Sequence, residues 1–198
     1  KFIVIDYVTE GMACTALLAK EYINNDTPLF ITDADEFIDG KKVFDEIKKQ
    51  GNKIDGAIPV FYANNQKWSY SRVGEDGFVE ETAEKKQISR TAHIGSYYFS
   101  KGRDFVWAAE EMIAEDDRTN NEFFIAPAYN YMIRRGKNIV VIRPKFAHGL
   151  GVPKDVEKFI WFLELGEVKH NFGNLDNVEV PSQDSFSIDN QENSPNSY

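Results

Sequence analysis

A mixed α/β fold, its sheet flanked by helices and interrupted by an antiparallel insertion, is predicted by three features of the sequence. Residues 1–50 alternate short β-branched runs with amphipathic stretches. Residues 55–99 break into short strand-like runs separated by turn signals, and helical periodicity returns from residue 103. Parallel strands need a crossover, usually a helix, so the first pattern argues for an open α/β sheet and the second for hairpins.

Taken in order, Phe2 to Tyr7 is short and continuously apolar, which predicts a buried strand of a parallel sheet. Ala13, Ala16, Leu17, Leu18, Tyr22 and Ile23 recur at helical spacing, so a helix is expected from Met12 to Ile23 and is stopped by Asn24 to Pro28. Leu29 to Thr32 reads as a second, central strand ending in Asp33-Ala34-Asp35. Gly40 to Gln50 reads as a helix with Val43, Phe44 and Ile47 on its inner face. Strands follow at Gly56–Tyr62, Lys67–Val73, Phe78–Glu84 and Ile94–Phe99, with a turn at Gly74 to Gly77. Helices are expected at Arg103–Ile113 and Ile125–Arg134, the latter closed by Gly136 as a C-cap, and Ile139–Ile142 supplies another strand. A last helix, Pro153–Leu165, has proline at its start and Gly166 after it. The main domain therefore covers residues 1–165, with an extension over 166–180 and a polar tail over 181–198 whose composition predicts disorder.

Composition narrows the function. Of 198 residues, 42% are hydrophobic and 28% charged, the balance of a soluble globular protein. Lys and Arg number 23 against 32 Asp and Glu, a formal charge of −9, and no basic patch stands apart, which argues against a nucleic-acid partner. The lone Cys14 forms no internal disulfide, which fits a reducing, cytoplasmic setting. The longest apolar stretch, Phe159 to Leu163, is too short to cross a bilayer. Because the chain starts at Lys1 and runs at once into an apolar segment, its first residue is expected to lie inside a longer gene product.

Chemistry-bearing residues are few. Ligands of open α/β sheets bind beyond the carboxyl ends of strands, where Asp33 and Asp35 can hold a hard divalent cation such as magnesium. Aspartate at a strand end equally caps the following turn. Glu84 and Lys85 can project toward a shared cleft, one accepting hydroxyl hydrogen bonds and the other neutralising phosphate, although Glu84-Lys85-Lys86 also reads as a solvated edge. His148-Gly149-Leu150-Gly151 lacks the spacing of a dinucleotide loop and reads as a turn. His93, His148 and His170 have no partner at metal-ligand spacing and read as structural, and Cys14 has no neighbouring base. Trp68, Tyr70, Tyr97 and Tyr98 are of the type that fills strand faces.

Several segments, in one collinear order over roughly residues 1 to 165, carry a resemblance. They are Thr9-Glu10-Gly11-Met12-Ala13-Cys14-Thr15, Phe30 to Phe37 around Asp33-Ala34-Asp35, Trp68-Ser69-Tyr70, Ala83-Glu84-Lys85-Lys86, and Ile94-Gly95-Ser96-Tyr97-Tyr98-Phe99. Together they resemble the sugar-phosphate nucleotidyltransferases. Asn121 to Asn130 and His148 to Asp155 are similar to the capsule and surface-polysaccharide branch of that family.

The resemblance implies a GT-A-like, Rossmann-like fold that joins a nucleoside triphosphate to a sugar 1-phosphate, yielding an NDP-sugar and pyrophosphate with Mg2+ as cofactor. It implies Asp35 as the magnesium-binding carboxylate, assisted by Asp33, Gly11 as the backbone contact to the base, Glu84 as acceptor of sugar hydroxyls and Lys85 as partner of the sugar phosphate. Gly95 and Tyr97 would border the sugar pocket with Tyr70 near it; apart from the resemblance, the acidic balance calls for Lys85, with Arg72 or Lys86, to draw in anions. Ser71 stands where many relatives have glycine, Gly149 stands where many have a second metal-binding aspartate, and no glycine-rich loop with arginine precedes these segments. The chain is thus expected to be part of a longer enzyme. A metal-dependent GT-A glycosyltransferase using the same Asp-x-Asp, or a non-catalytic binding remnant of the fold, are the alternatives, and a homo-oligomer is compatible with the sequence.

Overall fold

A computed structural model describes residues 2–165. The extension expected over 166–180, the polar tail over 181–198 and His170 lie outside the described residues.

In chain order the elements are α1 (Met12–Leu17), α2 (Lys20–Ile23), β1 (Leu29–Thr32), β2 (Glu36–Ile38), α3 (Gly40–Gln50), β3 (Gly56–Tyr62), β4 (Tyr70–Val73) and β5 (Val79–Ala83). After them come β6 (Thr91–His93), β7 (Ser96–Phe99), α4 (Gly102–Ala114), α5 (Ile125–Arg134), β8 (Ile139–Ile142), β9 (Ala147–Gly149) and α6 (Pro153–Glu164). Local chemistry explains the best-defined helices. The Asp39 side chain accepts a hydrogen bond from the Lys42 backbone N–H at 3.0 Å and caps α3. Lys41–Asp45 and Lys42–Glu46 ion pairs then line the solvent side of α3. At the end of α5 the N–H groups of Gly136 and Lys137 turn back to the carbonyls of Ile133 and Met132, with Gly136 at φ +73°.

A seven-stranded sheet organises the molecule in the order β1-β7-β3-β6-β4-β5, with β8 also on β3. β3 is buried over its first five residues, its successive side chains pointing to opposite faces of the sheet. Ile58, Val60 and Ile139 face α1, α4 and α5, where Phe99, Phe105, Met112, Tyr129 and Met132 complete one core. Ala57, Val140 and Ile142 face the other way, onto Val43 and Ile47 of α3. The result is a sheet with helices on both faces, the mixed α/β class read from the sequence.

β3 is the hub. It runs parallel to β8 from Gly56↔Ile139 to Pro59↔Ile142, pairs antiparallel with β7 at Gly56↔Phe99 and Ala57↔Tyr98, and pairs antiparallel with β6 from Val60↔His93 onward. The register slips between these two antiparallel stretches, so Ile94–Gly95 is a bulge in one long strand. Pro59 sits opposite it, where its carbonyl accepts the Ile94 N–H at 3.2 Å and its missing donor is not needed by the ladder. Beyond the bulge the sheet divides. β7 takes β1 as its outer neighbour, and β6 takes β4 and then β5.

Several sequence expectations are corrected. Phe2–Tyr7 forms no strand: no described segment hydrogen-bonds to it as a ladder, and Phe2 and Val4 are 96% and 90% exposed. Apolar composition makes a strand only when an edge is present to pair with. The expected helix Met12–Ile23 is broken between Leu17 and Lys20. β1 is an edge strand among the described residues, not a central one, and it is antiparallel to β7; β3 and β8 are the parallel pair. Phe44 is half-exposed and packs on Phe30 at the margin of the core, with ring centroids 5.1 Å apart. His148-Gly149 is not a turn but part of β9, which pairs with the unforeseen strand β2 in the register Glu36↔Gly149 to Ile38↔Ala147.

Candidate functional site

The division of the sheet at Gly95 makes the site. On one side of the bulge the Asp33 N–H donates to the Gly95 carbonyl at 3.2 Å, just beyond the end of β1. On the other the His93 N–H donates to the Ser69 carbonyl at 2.8 Å, just before β4. The edges of β1 and β4 therefore diverge around Gly95, leaving room that no strand fills. Gly95 has φ +123°, and a Cβ there would lie 2.5 Å from Asp33 Oδ2 and 2.9 Å from Glu36 Oε2. Glycine lets the backbone and these carboxylates meet.

Carboxylates crowd this opening. Burial, then the charges of Glu36, Asp35 and Glu84, push the Asp33 carboxyl up to about 6. Glu84, placed at the end of β5 across from Ser69, is also raised, mainly by burial; the Ser69 hydroxyl bond and the Lys85 charge act against that rise. Glu36 receives hydrogen bonds from Ser96 and, at 2.5 Å, from the Thr32 hydroxyl, all through Oε1, while its buried Oε2 has no hydrogen-bond partner. Tyr97 is buried at the same place, and burial followed by the Glu84 charge holds its phenol well above its ordinary value. Asp35 faces the segment after β9: its carbonyl accepts the Leu150 N–H at 2.6 Å, and its carboxylate occupies the space a side chain at Gly151 would need.

A cationic flank completes the opening. Lys85, at φ +50°, lays its ammonium 4.5 Å from the centre of the Phe124 ring. The adjoining Phe123 packs on Gly11, where a Cβ would fall 2.5 Å from the Phe123 carbonyl oxygen, and the Ala13 N–H donates to that same oxygen at 2.9 Å. Charge interactions thus link Lys85 to Glu84, Glu84 to Tyr97 and Asp33, and Asp33 to Asp35, with Gly95 against Asp33 and Gly11 reached through Phe123.

Two of the residues singled out from sequence are engaged elsewhere. The fully buried Tyr70 exchanges hydrogen bonds with the backbone of Asn65, its hydroxyl accepting the Asn65 N–H at 3.2 Å, so it braces the loop before β4. Arg72, proposed to attract anions, pairs instead with Glu80 and Glu81 on its own hairpin at 3.2 and 2.7 Å. His93 is structural as read: it is 2% exposed, its Nε2 lies 2.7 Å from the Ser71 hydroxyl, and burial lowers it to about 3. Cys14 is raised by burial and then by the Glu10 charge, the opposite of an activated thiol. Glu36, Ser69 and Ser96 were missed. Glu36 follows Asp35 directly, but only the pairing of β1 with β7 shows that it joins the same cluster.

The oxygen donors of Asp33 and Asp35 are of the hard type that suits magnesium, and a cation there would favour the ionised form of Asp33, which burial and then the neighbouring carboxylates disfavour. Among the described residues no group of three or more His, Cys, Asp or Glu is placed to hold a metal ion by itself. Such an ion would draw its remaining ligands from phosphate and water, as magnesium ordinarily does.

Next to this carboxylate cluster, between β3, β9 and the first turns of α6, lies a cavity of about 200 Å³. Its walls include Phe61, Trp68 and His148 together with Lys67, Lys158 and Asp155.

The fold is similar to that of solved nucleotide-sugar pyrophosphorylases. A nucleoside-diphosphate-sugar pyrophosphorylase from Vibrio cholerae RC9 superposes with a TM-score of 0.66 at 27% identity, over 79% of this chain and 67% of that one. A UDP-glucose pyrophosphorylase complexed with UDP-glucose gives 0.62 at 18% identity, over 82% and 65%. A putative glucose-1-phosphate thymidylyltransferase from Bacillus anthracis, in complex with a sucrose, gives 0.61 at 15% identity, over 82% and 63%. The chain spans about two thirds of the length of these structures. No family model and no curated protein matches the sequence. Among the described residues no helix is long and apolar enough to cross a membrane.

Proposed function

We propose that the protein serves as a sugar-phosphate nucleotidyltransferase of the surface-polysaccharide type, as part of a longer enzyme. An oxygen of a sugar 1-phosphate attacks the α-phosphorus of a nucleoside triphosphate, the bond to the bridging oxygen of pyrophosphate breaks, and an NDP-sugar forms. What supports this reading is the electrostatic coupling of Glu84 to Tyr97 and to Asp33, which packs against Gly95, with Lys85 following Glu84 in the chain.

In this reading Lys85 holds the sugar phosphate, its ammonium unpaired by any ion pair among the described residues and steadied by the Phe124 ring. Glu84, fixed by Ser69, accepts sugar hydroxyls. Gly95 and Tyr97 form the floor, Tyr70 braces the loop that carries Ser69 to Glu84, and Gly11 offers its backbone to the base. Asp35 with Asp33 would hold Mg2+, which supplies charge neutralisation to crowded phosphate oxygens. The protein's own contribution is alignment of two anionic reactants, and no covalent enzyme intermediate is required.

The test combines calorimetry with product analysis. The chain is titrated with each nucleoside triphosphate and with sugar 1-phosphates, with and without Mg2+, and pyrophosphate release is followed in the mixture. Magnesium-dependent binding with pyrophosphate release is the expected result. Binding without turnover assigns a non-catalytic module, sugar transfer from an NDP-sugar assigns a glycosyltransferase, and no heat with any of these ligands overturns the reading.

A further inference from the structure

The cavity beside the carboxylate cluster has a composition unlike the cluster's. Lys67 lies 4.8 Å from the centre of the Trp68 ring, and Lys158 projects from α6; both side chains are exposed, and neither forms an ion pair among the described residues. Asp155, one turn before Lys158, is the only carboxylate in the lining, and it too forms no ion pair there. The remaining walls are Phe61, Trp68 and the His148 ring, which burial and the nearby Lys158 keep toward its neutral form. Two ammonium groups against one carboxylate leave a positive surplus in a chain of net charge −9.

That surplus sits directly against the carboxylate cluster. Ile94 and Gly149, which edge the cavity, are the neighbours of Gly95 in the bulge and of Glu36 across the β2–β9 pair. A ligand seated at Gly95 therefore meets the carboxylate cluster and borders the cavity that Lys67 and Lys158 line. At about 200 Å³ the cavity is smaller than whole-ligand sites of roughly 300–1,000 Å³, so it takes one end of a molecule.

We infer that this cavity is a subsite for a second anionic group, and that the sugar phosphate recognised here carries a carboxylate besides its reacting phosphate, held by Lys67 and Lys158 over the Trp68 and Phe61 rings. The inference rests on the sugar-phosphate reading above and names the substrate class within it: phosphorylated sugar acids. Exposed ammonium groups left unpaired beside aromatic walls are the arrangement that recognises a carboxylate without first having to break an internal ion pair.

The experiment compares glucuronic acid 1-phosphate with glucose 1-phosphate by calorimetry, both with Mg2+, on the wild-type chain and on Lys67→Gln and Lys158→Gln. Both side chains are exposed, and a thermal melt of each variant checks that the fold is intact. The uronic acid phosphate is expected to bind about tenfold more tightly than the glucose phosphate, one charge-assisted contact's worth. Each substitution is expected to remove most of that preference while leaving glucose 1-phosphate binding unchanged. Equal affinity for the two ligands overturns the subsite and leaves the sugar-phosphate reading standing. A preference that survives both substitutions, or substitutions that weaken both ligands alike, also overturns it, the latter by assigning the lysines to the reacting phosphate. Binding of neither ligand overturns the subsite and the sugar-phosphate reading together.

Discussion

Replacing Gly95 with alanine tests the idea that the site exists because one glycine lets a strand bulge meet a carboxylate cluster. Two costs follow from the geometry. The backbone at φ +123° is strained for any L side chain, about 1–3 kcal/mol. The new methyl would also stand 2.5 Å from Asp33 Oδ2 and 2.9 Å from Glu36 Oε2, and Glu36 is tethered by Thr32 and Ser96, so relief requires breaking hydrogen bonds. Overpacking of this kind adds about 1–3 kcal/mol. Gly77 supplies the control, since it has φ +86° but nothing within 4 Å of its would-be Cβ, so Gly77→Ala incurs strain alone. Urea unfolding should therefore show Gly95→Ala costing more than Gly77→Ala by about 1–3 kcal/mol at unchanged m. Adding Asp33→Ala to Gly95→Ala should recover part of that excess. A Gly95→Ala variant no less stable than Gly77→Ala would refute the packing argument.

Further outcomes follow from other residues. His93, buried and lowered to about 3 against an unfolded value near 6.5, binds its proton less readily folded than unfolded. Its contribution is therefore fully present above about pH 6.5 and lost progressively as pH falls toward 3, on the order of 3–5 kcal/mol in total. Denaturation curves of His93→Gln should be flatter across that window than those of the wild type. Ser71→Ala, which strips His93 of the partner at 2.7 Å, should cost about 1–3 kcal/mol at neutral pH, measured by the same unfolding assay. Lys85→Ala should lower stability by no more than about 1 kcal/mol, the worth of its ammonium on the Phe124 ring, yet weaken sugar 1-phosphate binding by roughly tenfold or more in a calorimetric titration.

What the sequence disclosed divides along a physical line. α3, α5, β3 and β8 fall where local signals put them, because each carries its own evidence: the Asp39 cap, the Gly136 terminus, and short apolar runs. β2, β6 and β9 escaped because three-residue strands are defined by their partners, and those partners lie far along the chain. The same reason undoes Phe2–Tyr7, where apolar content was legible and an edge to pair with was not. The site obeys this division too. Asp33, Asp35, Glu84 and Lys85 stand out as chemistry placed at strand ends, whereas Glu36 and Ser69 gain meaning only from the register slip on β3 that separates β1 from β4. The cavity is least legible of all, since Phe61, Trp68, His148 and Lys158 come from segments that β9 and α6 bring together. A site of this kind is built by the divergence of a sheet. The residues that aim its functional groups are accordingly the ones at the bulge, and substitutions at Gly95 or Ser69 should disturb ligand binding as much as substitutions in the groups they position.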